Sequence, residues 1–164
     1  MHVIAPSAQV SPLADLDDSV RGSTLTVGAD TRIDAFVKIK FAGGTADITI
    51  GRDCQLNSGC VLYSGNGIVI GDGVLVAANV VFAPTNHAIA DVTRPMRSQG
   101  FAPSRGGIIV ESDVWIGAGA VLLDGAKIGR GAVIGALSLI RGEVAPYAIV
   151  VGNPARTVGS RMAR

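Results

Sequence analysis

The sequence has few aromatic residues, few cysteines, few histidines and no long hydrophobic run. Only one tryptophan, two tyrosines and four phenylalanines occur among its 164 residues, although 48% of the chain is hydrophobic. The core must therefore be built from aliphatic and small side chains. The formal net charge of +1 gives no reason to expect a nucleic acid or an anionic membrane as a partner.

These absences also limit the kinds of site and location that we expect. Cys54 and Cys60 are the only cysteines, too few for a disulfide framework and, alone, for a zinc site. The N-terminus lacks a basic region followed by an apolar run, as a signal peptide would have. No apolar stretch approaches the roughly 18 residues that cross a bilayer. We therefore expect one domain over residues 1–164, no membrane span and a cytoplasmic location.

What the sequence does contain is a repeat with a period of six residues. In the C-terminal half, an aliphatic residue recurs at every sixth position: Val110, Ile116, Leu122, Ile128, Ile134 and Ile140. A small or β-branched residue follows each of them four positions later: Val114, Ala120, Ala126, Ala132, Ser138 and Val144. Earlier in the chain the same phase runs in triplets, with slips between them: Ile4, Val10, Leu16; Val27, Ile33, Ile39; Ile50, Leu56, Leu62; Ile70, Val76, Phe82.

The period of six predicts a solenoid in which each coil consists of three short strands. An α-helix would need apolar residues spaced three and four apart, and an antiparallel sheet would need a period of two. In a three-sided prism, one aliphatic side chain per face points inward and stacks on its equivalents in neighbouring coils. We place the small residues, including Cys54 and Cys60, at tight corners as buried small side chains. We expect the glycines that follow the aliphatic positions to supply backbone angles that other residues resist.

The repeat is interrupted at length between Phe82 and Val110. A long excursion from a rigid solenoid is often functional, because the coils position the loop. This loop, about residues 84–109, contains His87, one of only two histidines. An imidazole titrates near neutrality, so it can take a proton from a hydroxyl and return it to a leaving thiolate. We therefore predict that His87 is catalytic, with a plain surface histidine as the alternative. The loop also contains three arginines to which the sequence assigns no role: Arg94, Arg97 and Arg105.

Several motifs resemble those of the hexapeptide-repeat acetyltransferases. They are Trp115-Ile116-Gly117, Ile134-Gly135-Ala136, the closing Gly152-Asn153-Pro154-Ala155-Arg156, and Asn86-His87 followed by Arg94-Pro95. Within that superfamily the chain resembles the branch of galactoside, maltose and nodulation-factor O-acetyltransferases and the O-acetyltransferases of polysaccharide biosynthesis. The resemblance implies an all-β, left-handed parallel β-helix with a short C-terminal tail. It also implies a homotrimer with active sites between neighbouring prisms.

The same resemblance implies roles for particular residues. His87 would be the general base that activates the acceptor as it attacks acetyl-CoA, and the backbone N–H of Ala118 would meet the oxyanion. The residues that would bind acetyl-CoA are Trp115, Gly117, Ala118, Ala136, Arg141 and Arg156. Asn57 and Asn86 would contact the acceptor, and no metal is expected. The alternatives are solvated surface arginines, a tryptophan that only packs at an interface, and an asparagine stacked inside the prism.

The acceptor is less closely defined by the sequence than the acetyl donor. Gly65 stands where the galactoside enzymes have an acidic acceptor ligand, which argues against a free galactoside or maltose. We expect transfer to a hydroxyl of a nucleotide sugar or lipid-linked saccharide in surface-polysaccharide biosynthesis. The alternatives are N-acetylation of an amino sugar, acetylation of an antibiotic, and an inactive β-helix scaffold. A γ-type carbonic anhydrase is excluded, because His2 and His87 cannot supply the three histidines of its zinc site.

Overall fold

The computed structural model describes residues 1–162, which form short strands and a single short helix. In chain order these elements are β1 (His2–Ile4), β2 (Gln9–Val10), β3 (Asp15–Leu16), β4 (Leu25–Val27), β5 (Arg32–Ile33), β6 (Lys38–Lys40), β7 (Ile48–Ile50), β8 (Gln55–Leu56), β9 (Val61–Tyr63), β10 (Ile68–Ile70), β11 (Leu75–Val76), β12 (Val81–Ala83), α1 (Met96–Gln99), β13 (Ile108–Val110), β14 (Trp115–Ile116), β15 (Val121–Leu123), β16 (Lys127–Ile128), β17 (Val133–Ile134), β18 (Leu139–Ile140), β19 (Glu143–Val144), β20 (Ala148–Val151) and β21 (Arg156–Ser160).

The chain passes through three sheets in turn, once per coil. Sheet 1 has the order β1-β4-β7-β10-β13-β16-β19, sheet 2 has the order β2-β5-β8-β11-β14-β17-β20-β21, and sheet 3 has the order β3-β6-β9-β12-β15-β18. Neighbouring strands are parallel, except that β20 and β21 are antiparallel. The result is the left-handed parallel β-helix that we predicted.

The aliphatic positions of the repeat form the core of the prism. Ile50, Ile70 and Val110 pair in register along sheet 1, and all three are buried. Cys54 and Cys60 are buried at corners, as predicted, with 2% and 0% of their surface exposed. Burial raises the pKa of the Cys60 thiol to about 11 and also raises the pKa of Cys54. Both cysteines are therefore small buried side chains, as the repeat indicated.

The glycines after the aliphatic positions have a different purpose from the one that we expected. Gly117 does not have a positive φ, but a Cβ there would lie 2.6 Å from the backbone nitrogen of Ala136 in the next coil. These glycines therefore allow the backbones of adjacent coils to approach closely. The positive φ falls two residues later, and there Gly119 is replaced in other coils by residues such as Asp113 and Leu137. The expectation of unusual backbone angles directly after the aliphatic residue was wrong.

The long loop lies at one edge of the prism, where sheet 3 leads back to sheet 1. The other connections whose length varies, such as those from β3 to β4 and from β6 to β7, lie at the same edge, which we call the insertion edge. The long loop spans residues 84–107, close to the predicted 84–109, and contains α1. None of the helical segments in residues 1–162 is long and apolar enough to cross a membrane.

The C-terminal segment covers the last coil with a strand hairpin. Val144 was expected at a small corner position, but it pairs with Ile128 and occupies the aliphatic position of sheet 1. Val150 then pairs with Ile134, so the repeat continues beyond Pro146. The chain reverses after β20, and β21 pairs antiparallel with it. The predicted tail is thus extended over β21 and turns at residues 161 and 162, and its last residues, 163 and 164, lie outside the described residues.

Candidate active site

His87 lies at the insertion edge, near the start of the long loop. The returning part of the loop runs beside it, since the amide of Ala102 donates a hydrogen bond to the carbonyl of Asn86 at 2.8 Å. The rings of His87 and Phe101 lie 5.0 Å apart between centroids, with their planes tilted by 36°. These contacts form a two-stranded stem that holds an exposed imidazole at the edge of the prism.

A pocket of about 250 Å³ lies on the side of His87 that faces the N-terminal coils. It is lined by Ala42, Gly43, Tyr63, Ala83, Thr85, His87 and Phe101. None of these residues is acidic or permanently charged, and the polar side-chain groups are two hydroxyls and the imidazole. Sequence reasoning missed Tyr63, Thr85 and Phe101, because nothing in the repeat shows which residues of separate coils and of the loop meet here.

A wider groove of about 750 Å³ lies on the side of His87 that faces the C-terminal coils. It is lined by Asn86, His87, Ile89, Ala102, Pro103, Ser104, Arg105, Leu123, Asp124 and Arg141. Arg141 also lines a neighbouring pocket of about 200 Å³ together with Arg156. Three of the predicted site residues, Asn86, His87 and Arg141, therefore line one groove, and Arg141 connects it to the pocket at the C-terminal end of the prism that contains Arg156.

Asp124 anchors the C-terminal end of the loop, and sequence reasoning missed it. Its carboxylate is 2% exposed and accepts the backbone N–H groups of Arg105 at 2.8 Å and of Gly107 at 2.9 Å. The side-chain amide of Asn66 donates a third hydrogen bond, at 3.2 Å. Three donors therefore satisfy a buried anion that would otherwise be costly. The available signal was an acidic residue after Leu123, within an otherwise apolar stretch of the repeat.

The three loop arginines have different surroundings. Arg94 bonds within the loop, to the carbonyl of Ser98, and its Nε lies 4.0 Å from a carboxylate oxygen of Asp91. Hydrogen bonds from Thr93 lower the pKa of that carboxyl. Arg97 lies on α1 and is exposed. Only Arg105 lines the groove beside His87.

The remaining predicted residues lie away from the insertion edge. Trp115 is on sheet 2, 53% exposed, and lines a shallow pocket with Asn57. The side chain of Asn57 accepts a hydrogen bond from Gln55 at 2.9 Å on the outside of the prism, so the alternative of an inward-stacked asparagine is wrong. Gly117, Ala118 and Ala136 lie in turns of adjacent coils between sheets 2 and 3. One chain alone does not bring these residues to His87.

Models of known protein families match two parts of the chain. The bacterial transferase hexapeptide (six repeats) matches residues 107–142, and the hexapeptide repeat of succinyl-transferase matches residues 47–82. Residues 107–142 therefore carry the bacterial transferase hexapeptide repeat. The two matched ranges lie on either side of the long loop that contains His87.

Similar proteins include both relatives in sequence and relatives in fold. A chloramphenicol acetyltransferase of Agrobacterium fabrum is 45% identical over 64 residues, which are 39% of this chain and 30% of that protein. The matched part thus spans less than a third of that curated relative. The N-acyltransferase AntD of Bacillus cereus, solved with dTDP and 3-hydroxybutyryl-CoA, has a TM-score of 0.81 and 22% identity. That match covers 98% of this chain and 82% of AntD, and it shows likeness of fold alone.

A third similar protein was solved with acetyl-CoA. It is a hexapeptide-repeat-containing acetyltransferase of Vibrio cholerae, with a TM-score of 0.59 and 25% identity over 97% of this chain and 70% of that one. Together these matches show that the chain is similar to acetyltransferases over part of its sequence, and to hexapeptide-repeat acyltransferases in its fold. They do not confirm the sugar O-acetyltransferase branch.

Proposed function

We propose that this chain transfers an acetyl group from acetyl-CoA to a hydroxyl of a small acceptor, with His87 as the general base. The observation that carries the proposal is the position of His87, which lines both the small pocket and the wider groove at the insertion edge. The pocket toward the N-terminal coils carries no fixed charge, whereas the groove toward the C-terminal coils leads to two arginines. A base between an acceptor pocket and a cationic groove suits transfer from a donor that carries phosphates.

The cationic groove supports acetyl-CoA as the donor. Arg141 lines both the groove beside His87 and the smaller pocket that contains Arg156. Guanidinium groups bind phosphate oxygens through paired N–H donors. Adjacent coils of a parallel sheet are about 4.8 Å apart, so an extended pantetheine arm can follow the edge over several coils. We assign the thioester to the His87 end of this route and the phosphates to the arginine end.

The chemistry that follows uses a single proton relay. An imidazole nitrogen of His87 takes the proton of the acceptor hydroxyl as its oxygen attacks the thioester carbonyl carbon. The tetrahedral intermediate collapses, the carbon–sulfur bond breaks, and the proton passes from His87 to the departing thiolate. The products are an acetyl ester and free CoA. The backbone N–H of Ala118 is our candidate for stabilising the oxyanion.

Ala118 can serve His87 only if it belongs to another copy of the chain, and the surface of the prism supports a homotrimer. The outer face of sheet 3 carries an apolar row of Val61, Val81, Val121 and Leu139. The outer face of sheet 2 carries a second row of Leu75, Trp115, Val133 and Ile149. Packing of one row against the other is a heterologous contact, which closes into a ring of three when each copy is rotated by about 120° from the last. This contact would bring sheet 2 of one copy near the His87 edge of the next.

The acceptor that we propose is a sugar hydroxyl, and a non-sugar alcohol is the second candidate. The second candidate is favoured by the 45% identity to a chloramphenicol acetyltransferase, although only over 64 residues. The setting in cytoplasmic synthesis of surface polysaccharide stays a prediction that no contact in the structure addresses.

The test of the proposed donor is calorimetric titration of the purified protein with acetyl-CoA, which requires no knowledge of the acceptor. We expect saturable binding near one site per chain, and competition by free CoA. The absence of binding at millimolar acetyl-CoA would overturn the proposal and favour the inactive scaffold. Release of free thiol is then measured with a panel of sugars and alcohols.

A further inference from the structure

We infer that the pocket between Tyr63, Phe101 and His87 receives an uncharged ring of the acceptor and selects alcohols over amines that carry an ammonium group. The inference rests on the proposed function and extends it to the chemical class of the acceptor. It is carried by three features of the pocket: the exposed aromatic rings, the lack of a fixed charge, and the volume.

The first feature is the placement of scarce aromatic residues. Tyr63 ends β9 in one coil, and Phe101 belongs to the returning part of the loop, yet both line the pocket beside His87. Tyr63 is 41% exposed and Phe101 is 50% exposed. The chain contains only two tyrosines and four phenylalanines, and two of these six rings are thus exposed together at one pocket. Exposed aromatic faces at the mouth of a pocket bind rings by stacking and by burial of apolar surface.

The second feature is the absence of a fixed charge. The residue that precedes Tyr63 in register along sheet 3 is Lys40, and its ammonium group is held by Asp15 at 2.6 Å and by Asp17 at 2.9 Å. This lysine is therefore neutralised by its own neighbours. The residues that line the pocket include no acid. An ammonium group entering the pocket would lose water without gaining a counter-ion, which is unfavourable.

The structure also shows why an acid cannot simply be present at Gly65. This residue has a φ of 42°, and a Cβ on it would overlap the hydroxyl of Thr85, which lines the pocket. Thr85 in turn fills the space next to Gly43, where a Cβ would lie 2.9 Å from the same hydroxyl. Gly43, Gly65 and Thr85 therefore pack closely on this side of the pocket, and none of them supplies a carboxylate.

The third feature is the volume. A pocket of about 250 Å³ corresponds to roughly eight water-sized groups at about 30 Å³ each. That is the size of one six-membered ring with its substituents and far less than a nucleotide sugar. One neutral ring of the acceptor therefore enters the pocket, with its reacting hydroxyl directed at His87, and any larger remainder stays outside.

The first experiment measures acceptor selectivity in wild type and in ring-deletion variants. The probes are an uncharged aryl glycoside, chloramphenicol and glucosamine. We expect wild type to prefer the uncharged alcohols. Tyr63→Ala and Phe101→Ala should raise the acceptor KM by about three- to tenfold, as expected for the loss of one stacked ring, and leave the KM for acetyl-CoA unchanged. Tyr63→Phe, which keeps the ring, serves as the matched control.

The second experiment adds the missing charge. Ala42 lines the pocket and is exposed, so Ala42→Asp should fold, and Ala42→Asn is its uncharged control. We expect the aspartate variant to shift relative kcat/KM toward glucosamine, and the asparagine variant not to do so. A wild type that prefers glucosamine, or an unchanged preference in Ala42→Asp, would overturn the inference.

Failure of the inference can be told from failure of the proposed function. If acetyl-CoA does not bind, the pocket is tested by direct titration with the aryl glycoside alone. Binding that Tyr63→Ala abolishes would uphold an uncharged-ring pocket without transferase activity. If acetyl-CoA binds but Tyr63→Ala and Phe101→Ala leave every acceptor KM unchanged, the donor site stands and the assignment of the pocket falls.

Discussion

Charge is distributed unevenly among the residues of the insertion edge. Lys40 is neutralised by two aspartates at one end, whereas Arg141 and Arg156 line the same pocket at the other end. His87 lies between these two regions and touches both the apolar pocket and the groove. Under the proposed function, the two substrates enter from opposite directions, with the phosphate-bearing donor on the arginine side.

Replacement of Arg156 tests the donor side. Arg156→Ala and Arg141→Ala should raise the KM for acetyl-CoA by about tenfold to a hundredfold, because each removes charge-assisted hydrogen bonds to phosphate. The acceptor KM should not change. Initial rates at varied acetyl-CoA concentrations give the measurement. Arg97→Ala, on the exposed helix α1, is the matched control and should behave as wild type. Equal values for all three variants would make Arg141 and Arg156 ordinary surface arginines.

At the scale of elements, the loop depends on a buried carboxylate at its base. The Asp124 carboxylate accepts hydrogen bonds from N–H groups of Arg105, Gly107 and Asn66. An asparagine at this position would place its own NH2 group against one of these donors, and that hydrogen bond would be lost. The loop stem then pairs Phe101 with His87. The position of His87 therefore depends on a buried residue of the following coil.

We expect Asp124→Asn to loosen the loop stem, since each unsatisfied buried donor costs about 1–3 kcal/mol. Backbone amides of residues 86–107 should exchange faster with deuterium, and kcat should fall more than the affinity for acetyl-CoA. Mass-spectrometric hydrogen exchange and steady-state kinetics give the two measurements. Asp18→Asn, at a carboxyl that is 90% exposed and outside the loop, is the control. Wild-type exchange rates in Asp124→Asn would show that the loop is held by other contacts.

Close packing of adjacent coils makes a second prediction at this scale. Gly117→Ala places a Cβ 2.6 Å from the backbone nitrogen of Ala136, and such overpacking typically costs about 1–3 kcal/mol. We expect the thermal unfolding midpoint of Gly117→Ala to lie clearly below that of wild type. Gly142→Ala is the matched control, because no atom lies within 4 Å of its added Cβ. Equal midpoints for the two variants at the same protein concentration would contradict this explanation of the repeat glycines.

The sequence predicts the strands better than the contacts between coils. The period of six located the aliphatic core, the buried cysteines and the long loop, because each coil repeats the same local pattern. It did not predict that Gly117 avoids the backbone of the next coil, since that clash involves residues of another repeat. Val144 was predicted at a corner, but it lies on a strand. The connection from β18 to β19 at the insertion edge is short, and this shifts the six-residue phase of the final coil. Tyr63, Phe101 and Asp124 were missed for a related reason: their roles arise only when the loop folds back.

At the scale of the whole molecule, the outer faces of sheets 2 and 3 carry apolar rows that one chain leaves partly uncovered. In the row of sheet 2, Trp115 is 53% exposed and Leu75 is 52% exposed. Contiguous exposed apolar residues on a rigid surface indicate contact with another protein. A second copy of the chain is the partner that we propose, because it also supplies the turn of Ala118.

Light scattering coupled to size exclusion tests this assembly. We expect a mass of about 50 kDa, three times the 16.7 kDa of one chain. Val121→Lys, in the outer row of sheet 3, should dissociate the trimer, because it places a charge in an apolar contact. Val69→Lys on sheet 1, also outward-facing and 49% exposed, should leave it intact. A wild-type mass of about 17 kDa would rule out a site shared between copies.

The most direct test of the proposed mechanism is the turnover of His87→Ala compared with wild type, at saturating acetyl-CoA and with an acceptor that wild type uses. Loss of the general base should lower kcat by about 10²–10⁴-fold, because the acceptor hydroxyl keeps its proton. The mass of the assembly and the affinity for acetyl-CoA should remain those of wild type. Unchanged turnover in a correctly folded His87→Ala protein would contradict the assignment of His87 as the base.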